Sequence, residues 1–310
     1  MDIEVIEQSF NCGEQASLLL SNIRGKVSIH AGDDHVITIR AEKILDSGDA
    51  DNTIIEVSQD IDGKVIVSTR YDQYGFRFFR GIAPCKVNYD ILVPSNCDLK
   101  IRGVSNAARI DGISGELDIS TVSGDLRLYS LTGELKIKSV SGDVQGEKIS
   151  APARIDTVSG NFHLKMSNFP SLQAKTVSGD LTFETQLGKG PYEFNAVSGD
   201  IKVEVTRLIG LTVDSSSLSG DLSCPIPQCS SNSSRNHQRV EVLGGGVEIR
   251  HKSVSGDFCL DSTGEIEEPV ELPSPVSDQV DEVTHSEILA SIERGELSVD
   301  EALSIIEKAN

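Results

Sequence analysis

The sequence has no tryptophan, only two methionines and few aromatic residues, which make up 5% of its 310 positions. Basic residues are also scarce, because 28 lysines and arginines face 48 aspartates and glutamates and leave a formal net charge of −20. Nucleic-acid binders normally carry a basic face, so we expect no nucleic-acid partner. Glycine is abundant, with 27 residues, and together with frequent valine it indicates short strands joined by turns.

Long apolar segments are lacking as well. The N-terminal residues show no basic region followed by an apolar stretch, as a secretory signal would. The run Leu18–Leu20 is far shorter than the roughly 20 apolar residues that span a bilayer. We therefore expect a cytoplasmic protein with no transmembrane segment. The six cysteines have irregular spacings without a CxxC pair, which predicts free thiols rather than a zinc site.

One short motif recurs nine times in the second third of the chain and beyond. It consists of an apolar residue, Ser or Thr, Gly, and then Asp, Glu or Asn, with glycines at Gly115, Gly124, Gly133, Gly142, Gly160, Gly179, Gly199, Gly220 and Gly256. Nine residues correspond to one strand and one corner, so the later spacings of 18 to 21 residues correspond to a full coil. We predict an all-β, right-handed parallel β-solenoid with a short C-terminal α-helical hairpin.

Alternation of apolar and polar residues follows each corner, as in Leu117 and Ile119, and this pattern directs the apolar side chains to the interior. The apolar residue that opens the motif is also expected to point inward. That assumption gives an interior column of Val122, Val140, Val158, Val177, Val197 and Leu218. A charge introduced at Val158 should then be far more damaging than one at Lys138.

Stacked coils would align the acidic residue of the motif into a row with a spacing of roughly 4.8 Å. The row would contain Asp125, Asp143, Asn161, Asp180, Asp200 and Asp221. Capping of local turns is the main interpretation of these side chains. Calcium binding by the five aspartates is the weaker alternative, because the motif lacks the additional glycines and carbonyl ligands of calcium-binding β-rolls. We predict no cofactor.

No acid–base pair, nucleophile elbow or phosphate loop stands out from the repeat, so the sequence predicts no catalytic residue and no enzyme activity. One segment is rich in aromatic residues and arginine, which are favoured at interfaces. Its aromatic members are Tyr71, Tyr74, Phe76, Phe78 and Phe79. This segment is either a contact surface or a loop folded over an open end of the coils.

Four regions follow from these patterns: strand-rich opening coils or a cap at 1–101, the repeat solenoid at 102–263, an acidic linker containing proline at 264–283, and a helical hairpin at 284–310. The hairpin has two capping boxes, which begin at Thr284 and Ser298. It is too small to bury its apolar stripes alone. We expect a protein partner, or self-association, through Leu289, Ile292, Leu303 and Ile306.

The Val-Ser-Gly-Asp repeats, the segment Leu20–Ile29 and the segment Tyr89–Pro94 resemble the bacterial "putative adhesin" β-solenoid family of unknown function. The C-terminal residues resemble a SHOCT-like helical hairpin. The resemblance implies a repetitive β-fold and, from some relatives, a link to cell-envelope stress; it supplies no catalytic residue. We predict a non-enzymatic intracellular scaffold or sensor. The alternatives are a filament-forming, cytoskeletal type of β-solenoid and a surface adhesin exported by an unrecognised route.

Overall fold

The structure is a computed structural model that describes residues 2–13, 15–33, 35–72, 83–227, 229–234 and 236–264. These residues contain 22 β-strands and a single 3-10 turn, Leu45–Ser47. One compact unit spans Met1–Ile266, and a second unit, Glu267–Asn310, lies outside the described residues.

The strands fall into three groups along the chain. The first group is β1 (Ile3–Asn11), β2 (Ala16–Ala31), β3 (Val36–Ile44), β4 (Thr53–Gln59), β5 (Val65–Tyr71) and β6 (Lys86–Val93). The second is β7 (Cys97–Asp111), β8 (Ser114–Ser123), β9 (Leu126–Ser141), β10 (Val144–Ser150), β11 (Ala153–Thr157), β12 (Phe162–Phe169), β13 (Leu172–Thr176), β14 (Leu181–Leu187), β15 (Tyr192–Ala196) and β16 (Ile201–Val205). The third is β17 (Leu211–Ser217), β18 (Leu222–Ser223), β19 (Cys229–Ser234), β20 (His237–Val242), β21 (Val247–Ser253) and β22 (Phe258–Ser262).

Parallel pairing between successive coils builds the centre of the unit. On one side Leu99 pairs with Leu117 and Leu117 with Leu135, so that β7, β8 and β9 lie side by side. The same side continues through β11, β13 and β15. On the other side β7, β9, β10, β12, β14 and β16 pair in sequence. Each coil therefore contributes one strand to each of two parallel rows.

The order of the last coils in space differs from their order in the chain. Strand β21 lies between β15 and β17, and β22 lies between β16 and β18. The coil formed by β21 and β22 is thus inserted beneath a coil that precedes it in sequence. The predicted row of stacked acidic residues placed Asp221 directly next to Asp200. This prediction is wrong, because Asp257 lies between the two.

Antiparallel strands lie at both ends of the parallel rows. At one end β3 pairs with β6 and β1, and β4 pairs with β5. At the other end β20 pairs with β17 and β19. The predicted fold class is therefore wrong as stated, since the sheet is mixed rather than purely parallel.

The helical part of that fold class also needs correction. Within the described ranges there is no α-helix, and none long and apolar enough to cross a membrane. The predicted hairpin at 284–310, with Leu289, Ile292, Leu303 and Ile306, lies outside the described residues. The observed architecture is a large mixed β-sheet.

Aligned apolar side chains from both rows fill the interior. The inward positions predicted from alternation are confirmed for Leu117, Ile119, Leu126 and Leu128, each of which is buried. Aromatic rings concentrate in the later coils. Ring centroids lie 6.2 Å apart between Phe169 and Phe183, and 5.8 Å apart between Phe183 and Phe194. These rings therefore pack against one another within the core.

The predicted interior column of valines is wrong. Val158 is 47% exposed, whereas Thr157 before it is 6% exposed. Alternation explains the reversal: Ile155 points inward, so Thr157 also points inward and Val158 points outward. The prediction that a charge at Val158 is far more damaging than one at Lys138 assumed an inward side chain. Since Val158 points outward, that reason no longer holds.

The inward hydroxyls at this corner differ between coils. The side-chain oxygens of Thr121, Ser139 and Thr157 are buried without a hydrogen-bond partner in the described part of the chain. In the next coil the hydroxyl of Thr176 accepts a hydrogen bond from the Gly179 N–H at 2.9 Å and donates to the Gly179 carbonyl at 3.1 Å. A buried hydroxyl without a partner costs about 1–3 kcal/mol.

We predict opposite effects for the same substitution at two equivalent positions. Thr157→Val should raise the free energy of unfolding by about 1 kcal/mol, because it replaces an unpartnered hydroxyl with a methyl group of similar size. Thr176→Val should lower it by about 1–3 kcal/mol, because the buried Gly179 N–H loses its acceptor. Denaturant titration of both variants gives the measurement. Equal shifts would contradict the hydrogen-bond assignment at this corner.

A single buried histidine lies in the later coils. His251 is 1% exposed, its Nδ1 atom lies 2.9 Å from the Ser215 hydroxyl, and its ring centroid is 4.9 Å from that of Phe258. Burial lowers the pKa of His251 to about 4, against a smaller opposing effect of Asp257. The folded protein therefore holds this imidazole neutral near pH 7.

This lowered pKa predicts a loss of stability in mild acid. Histidine in the unfolded chain has a pKa of about 6.5, so between pH 6.5 and about 4 the unfolded state binds the additional proton. Acidification from pH 7 to pH 5 should lower the free energy of unfolding by about 2 kcal/mol through this residue. His251→Phe should remove that part of the pH dependence, while the exposed His163→Gln should keep it. Identical pH profiles for the wild type and His251→Phe would refute the assignment.

Candidate interaction surface

The outward residues that open the repeated motif form one continuous row, which we call the valine ladder. Each member is 44–69% exposed. In spatial order it consists of Val104, Val122, Val140, Val158, Val177, Val197, Val254 and Leu218. At roughly 4.8 Å per coil, eight members extend over about 34 Å.

Backbone pairing holds the valine ladder rigid. The carbonyl of Val158 accepts the N–H of Ser178 at 2.9 Å, and the carbonyl of Val177 accepts the N–H of Ser198 at 2.9 Å. The hydroxyls of the same serines lie 3.4 Å and 3.3 Å from these carbonyls and donate to them. The hydroxyls of the serines that follow Val177 and Val197 are therefore hydrogen-bonded within the protein.

The glycine of the motif allows the coils to approach closely. A Cβ atom at Gly142 would lie 2.4 Å from the carbonyl oxygen of Gly124, and one at Gly179 would lie 2.1 Å from that of Gly160. Gly142 has a φ of 125°, but Gly179 has no positive φ, so steric room is the shared requirement. No side chain fits at these positions without moving the backbone.

Carboxylates line the far side of the corner in a second row, which we call the acid row. Its members are Asp125, Asp143, Asn161, Asp180, Asp200, Asp257 and Asp221. The Oδ1 atom of each member accepts the backbone N–H of the next, for example Asn161 N to Asp143 Oδ1 at 2.9 Å. These side chains therefore cap the backbone of the neighbouring coil. None of the six aspartates forms an ion pair with a described residue.

A third row lies two residues before the valine ladder on the same strands and faces the same side. We call its cationic members, Arg102, Lys138, Lys175 and Lys252, the basic flank. They make no ion pair with any residue that the structure describes. The one acidic residue in this row, Asp156, lies 3.4 Å from Arg154 and is thereby neutralised. The basic flank therefore lies on the same strands as the valine ladder, whereas the acid row lies beyond the corner, where the chain enters the opposite parallel row.

The residues predicted as sites from the sequence fall in different places. The calcium candidates Asp125, Asp143, Asp180, Asp200 and Asp221 all belong to the acid row, and no group of three or more metal-binding side chains occurs in the described ranges. Tyr71 ends β5, where its hydroxyl lies 3.2 Å from Asp49 Oδ2. Tyr74, Phe76, Phe78 and Phe79 lie outside the described residues, so the aromatic contact surface stays a prediction.

All six cysteines are free thiols. Burial raises the pKa of the Cys97 thiol to about 12, with a smaller contribution from Asp98. Burial also raises the pKa of Cys224 to about 12, and its neighbour Cys229 contributes to this shift. Thiols with such pKa values are protonated at neutral pH, which makes them poor nucleophiles and poor metal ligands.

Sequence reasoning missed the exposed side of this corner. It omitted Val104, Val254 and Asp257 from the rows and did not consider the basic flank. The alternation of inward and outward positions, continued through Thr121 and Thr157 to the next residue, could have identified the valine ladder.

We predict that the acid row needs an acceptor oxygen rather than a charge or a calcium ion. Asp143→Asn should leave the free energy of unfolding within about 0.5 kcal/mol, because an amide oxygen still accepts the Asn161 N–H, as Asn161 itself does for Asp180. Asp143→Ala should lower it by about 1 kcal/mol. Thermal melting with and without a chelator checks both statements. Strong destabilisation by Asp143→Asn together with a calcium-dependent melting temperature would restore the calcium alternative.

Comparison with known proteins identifies one family and several similar solved structures. The sequence model of the Toastrack DUF4097 family matches residues 25–261. A search of curated proteins found no significant match. The similar solved structures include a "putative adhesin" from Bacteroides fragilis, at 15% identity over 83% of this chain and 97% of that one, with a TM-score of 0.46.

Two structures from Parabacteroides distasonis are also similar. One is described as a "putative adhesin", with 13% identity over 84% of this chain and 97% of that one and a TM-score of 0.44. The other is described as a "putative lipid binding protein", with 13% identity over 85% and 95% and a TM-score of 0.41.

Proposed function

The chain belongs to the Toastrack DUF4097 family, and we propose that it is a non-enzymatic scaffold that binds a protein partner along the valine ladder. The unbroken row of eight exposed aliphatic side chains carries this proposal. The largest apolar patch on a typical monomer covers about 300–600 Å² and is often functional. A row about 34 Å long reaches the lower end of that range at a width of about 9 Å.

The distribution of residues across the corner supports a binding role. Thr121 and Thr157 occupy inward positions while Val122 and Val158 face solvent. Folding stability alone would favour the opposite arrangement, since burial of an aliphatic side chain is favourable and burial of an unpartnered hydroxyl is not. Binding sites commonly retain features that stability would remove. The outward valines are therefore best explained by a partner that covers them.

Rigidity makes this surface suitable for recognition. The backbone on both sides of each ladder residue is paired with neighbouring coils, as at Val140 and Val158. Valine has a stiff β-branched side chain, so little conformational entropy is lost when a partner orders it. A partner would meet a surface that is already in its bound conformation.

The ends of the stack differ from its repeated coils, which supports a scaffold over the filament alternative. The antiparallel strands β1 and β4 lie at one end, and β19 lies at the other. Strand β18 is only two residues long, and Pro225 and Pro227 follow it without backbone N–H groups for further pairing. A very short strand followed by prolines disfavours the addition of strands from another molecule.

We place the scaffold inside the cell as part of this proposal. Six free thiols, two of them the fully buried Cys85 and Cys97, are compatible with a reducing compartment. The link to envelope stress that the family resemblance implies stays a prediction.

Site-specific photocrosslinking in living cells tests the scaffold. A photoreactive amino acid in place of Val140, on the full chain, should give a defined covalent adduct, because a partner lies against the valine ladder. The same probe at the exposed Lys165 on β12, outside the ladder and its flanks, should give none. No adduct at Val140, or equal adducts at both positions, would refute binding at the ladder.

A further inference from the structure

We propose that a cavity beside the acid row binds the carboxylate or phosphate group of a small organic molecule. The cavity has a volume of about 380 Å³ and lies where β2, β7 and β9 enter the opposite parallel row. Its polar lining residues are Lys26, Ser28, Arg109, Asp125 and Arg127. It shares no residue with the valine ladder, so this inference does not rest on the proposed scaffold.

Ala107 interrupts the row of side chains that cap the backbone. In the acid row the Oδ1 atom of one member accepts the N–H of the next, as Asp125 does for Asp143 at 3.2 Å. The residue in register before Asp125 is Ala107, whose methyl group cannot accept a hydrogen bond. No described residue accepts the Asp125 N–H instead. Both residues line the cavity, which therefore presents a backbone donor that an oxyanion can satisfy.

The interruption is local, because capping resumes on the other side of it. Lys26 lies in register with Ala107 on the strand before, and its own N–H donates to Asn88 Oδ1 at 3.0 Å. Side chains thus cap the backbone on both sides of Ala107. The missing acceptor is consequently a feature of one coil rather than the end of the repeat.

Positive charge surrounds this unpartnered N–H. Arg109 and Arg127 lie in register on neighbouring strands, although like charges so close together repel each other. Lys26 adds a third cation from the strand before. Neither Lys26 nor Arg127 forms an ion pair with a residue in the described ranges. A bound oxyanion would offset the repulsion and supply the missing partner.

The carboxylates beside these cations are already engaged. Asp111 Oδ2 accepts a hydrogen bond from Arg109 at 3.1 Å, and the Arg109 guanidinium lies 4.3 Å from the centroid of the Tyr129 ring. These two contacts fix the position of Arg109, which retains further N–H donors for a ligand. Asp125 Oδ1 is bonded to the next coil.

Size and donor chemistry define the class of ligand. Sites for small organic molecules have volumes of about 300–1,000 Å³, so a bare inorganic ion would fill only part of this cavity. Guanidinium groups bind carboxylates and phosphates through paired N–H···O hydrogen bonds. The Ser28 hydroxyl, which lies 2.6 Å from His30 Nε2, adds a polar group for an uncharged part of the ligand.

Nuclear magnetic resonance of the full chain tests this site. Inorganic phosphate and sodium acetate are titrated separately, and sodium chloride keeps the ionic strength constant. The Asp125 amide resonance should shift saturably, with a dissociation constant on the order of millimolar, because its N–H gains a charged acceptor. The Asp143 amide already has an acceptor and should shift at least fivefold less. A response to phosphate alone assigns a phosphate-bearing ligand, and a response to acetate assigns a carboxylate-bearing one.

Charge removal tests the role of the cations. Arg127→Gln should weaken binding of the responding anion at least fivefold, and Lys26→Gln should act in the same direction. Lys165→Gln removes the same charge from an exposed position on β12, outside the cavity, and should leave the dissociation constant within twofold.

Ala107→Asp provides the sharpest test, because it restores the side chain that the row has in its other coils. The new carboxylate should cap the Asp125 N–H and abolish the response of that amide to both anions. The proposal is overturned if neither anion shifts the Asp125 amide saturably, or if the Asp125 and Asp143 amides shift equally. An undiminished response in Arg127→Gln or in Ala107→Asp would also overturn it. None of these results affects binding at the valine ladder.

Discussion

Close contact between the corner glycines of successive coils is the constraint on which the structure depends. Backbone oxygen of one glycine occupies the space where the next would carry a Cβ atom, at 2.3 Å for Gly160 over Gly142 and 2.1 Å for Gly199 over Gly179. Such contact requires every corner to repeat the same backbone path. Once the glycines are aligned, the residues around them must align too, and the serine, aspartate and valine rows follow from that geometry rather than from separate interactions.

Because equivalent residues stack in rows, the stabilising and destabilising interactions of each residue type are repeated in every coil. A carboxylate that caps one backbone N–H is repeated in every coil, so capping accumulates, but so does repulsion between charges about 4.8 Å apart, roughly 1 kcal/mol per pair in water. Solvent exposure of the acid row limits this repulsion, and Asn161 interrupts it near its middle. In the interior, the cost that is repeated is the burial of hydroxyls without a hydrogen-bond partner, such as those of Thr121 and Thr157.

Local spacing and alternation predicted the inward positions that follow each corner, such as Leu117 and Leu126, and most members of the acid row. The acidic side chains cap the neighbouring coil, whereas the sequence predicted capping of local turns. The prediction failed for Val158 because residue type was given more weight than alternation; Ile155 and Thr157 already determined that Val158 points outward. The insertion of β21 and β22 could not be predicted from the repeat. Gly220 and Gly256 belong to the same motif, so either could stack on Gly199, and only the long-range pairing of β15 with β21 decides between them.

That insertion also bears on how the surface can be used. With the inserted coil in place, Val254 continues the row between Val197 and Leu218, and the valine ladder stays unbroken to its last member. The strand that would otherwise end the stack is covered by β20 and β19. Growth along the stack is thereby disfavoured, whereas the side of the stack stays open over its full length.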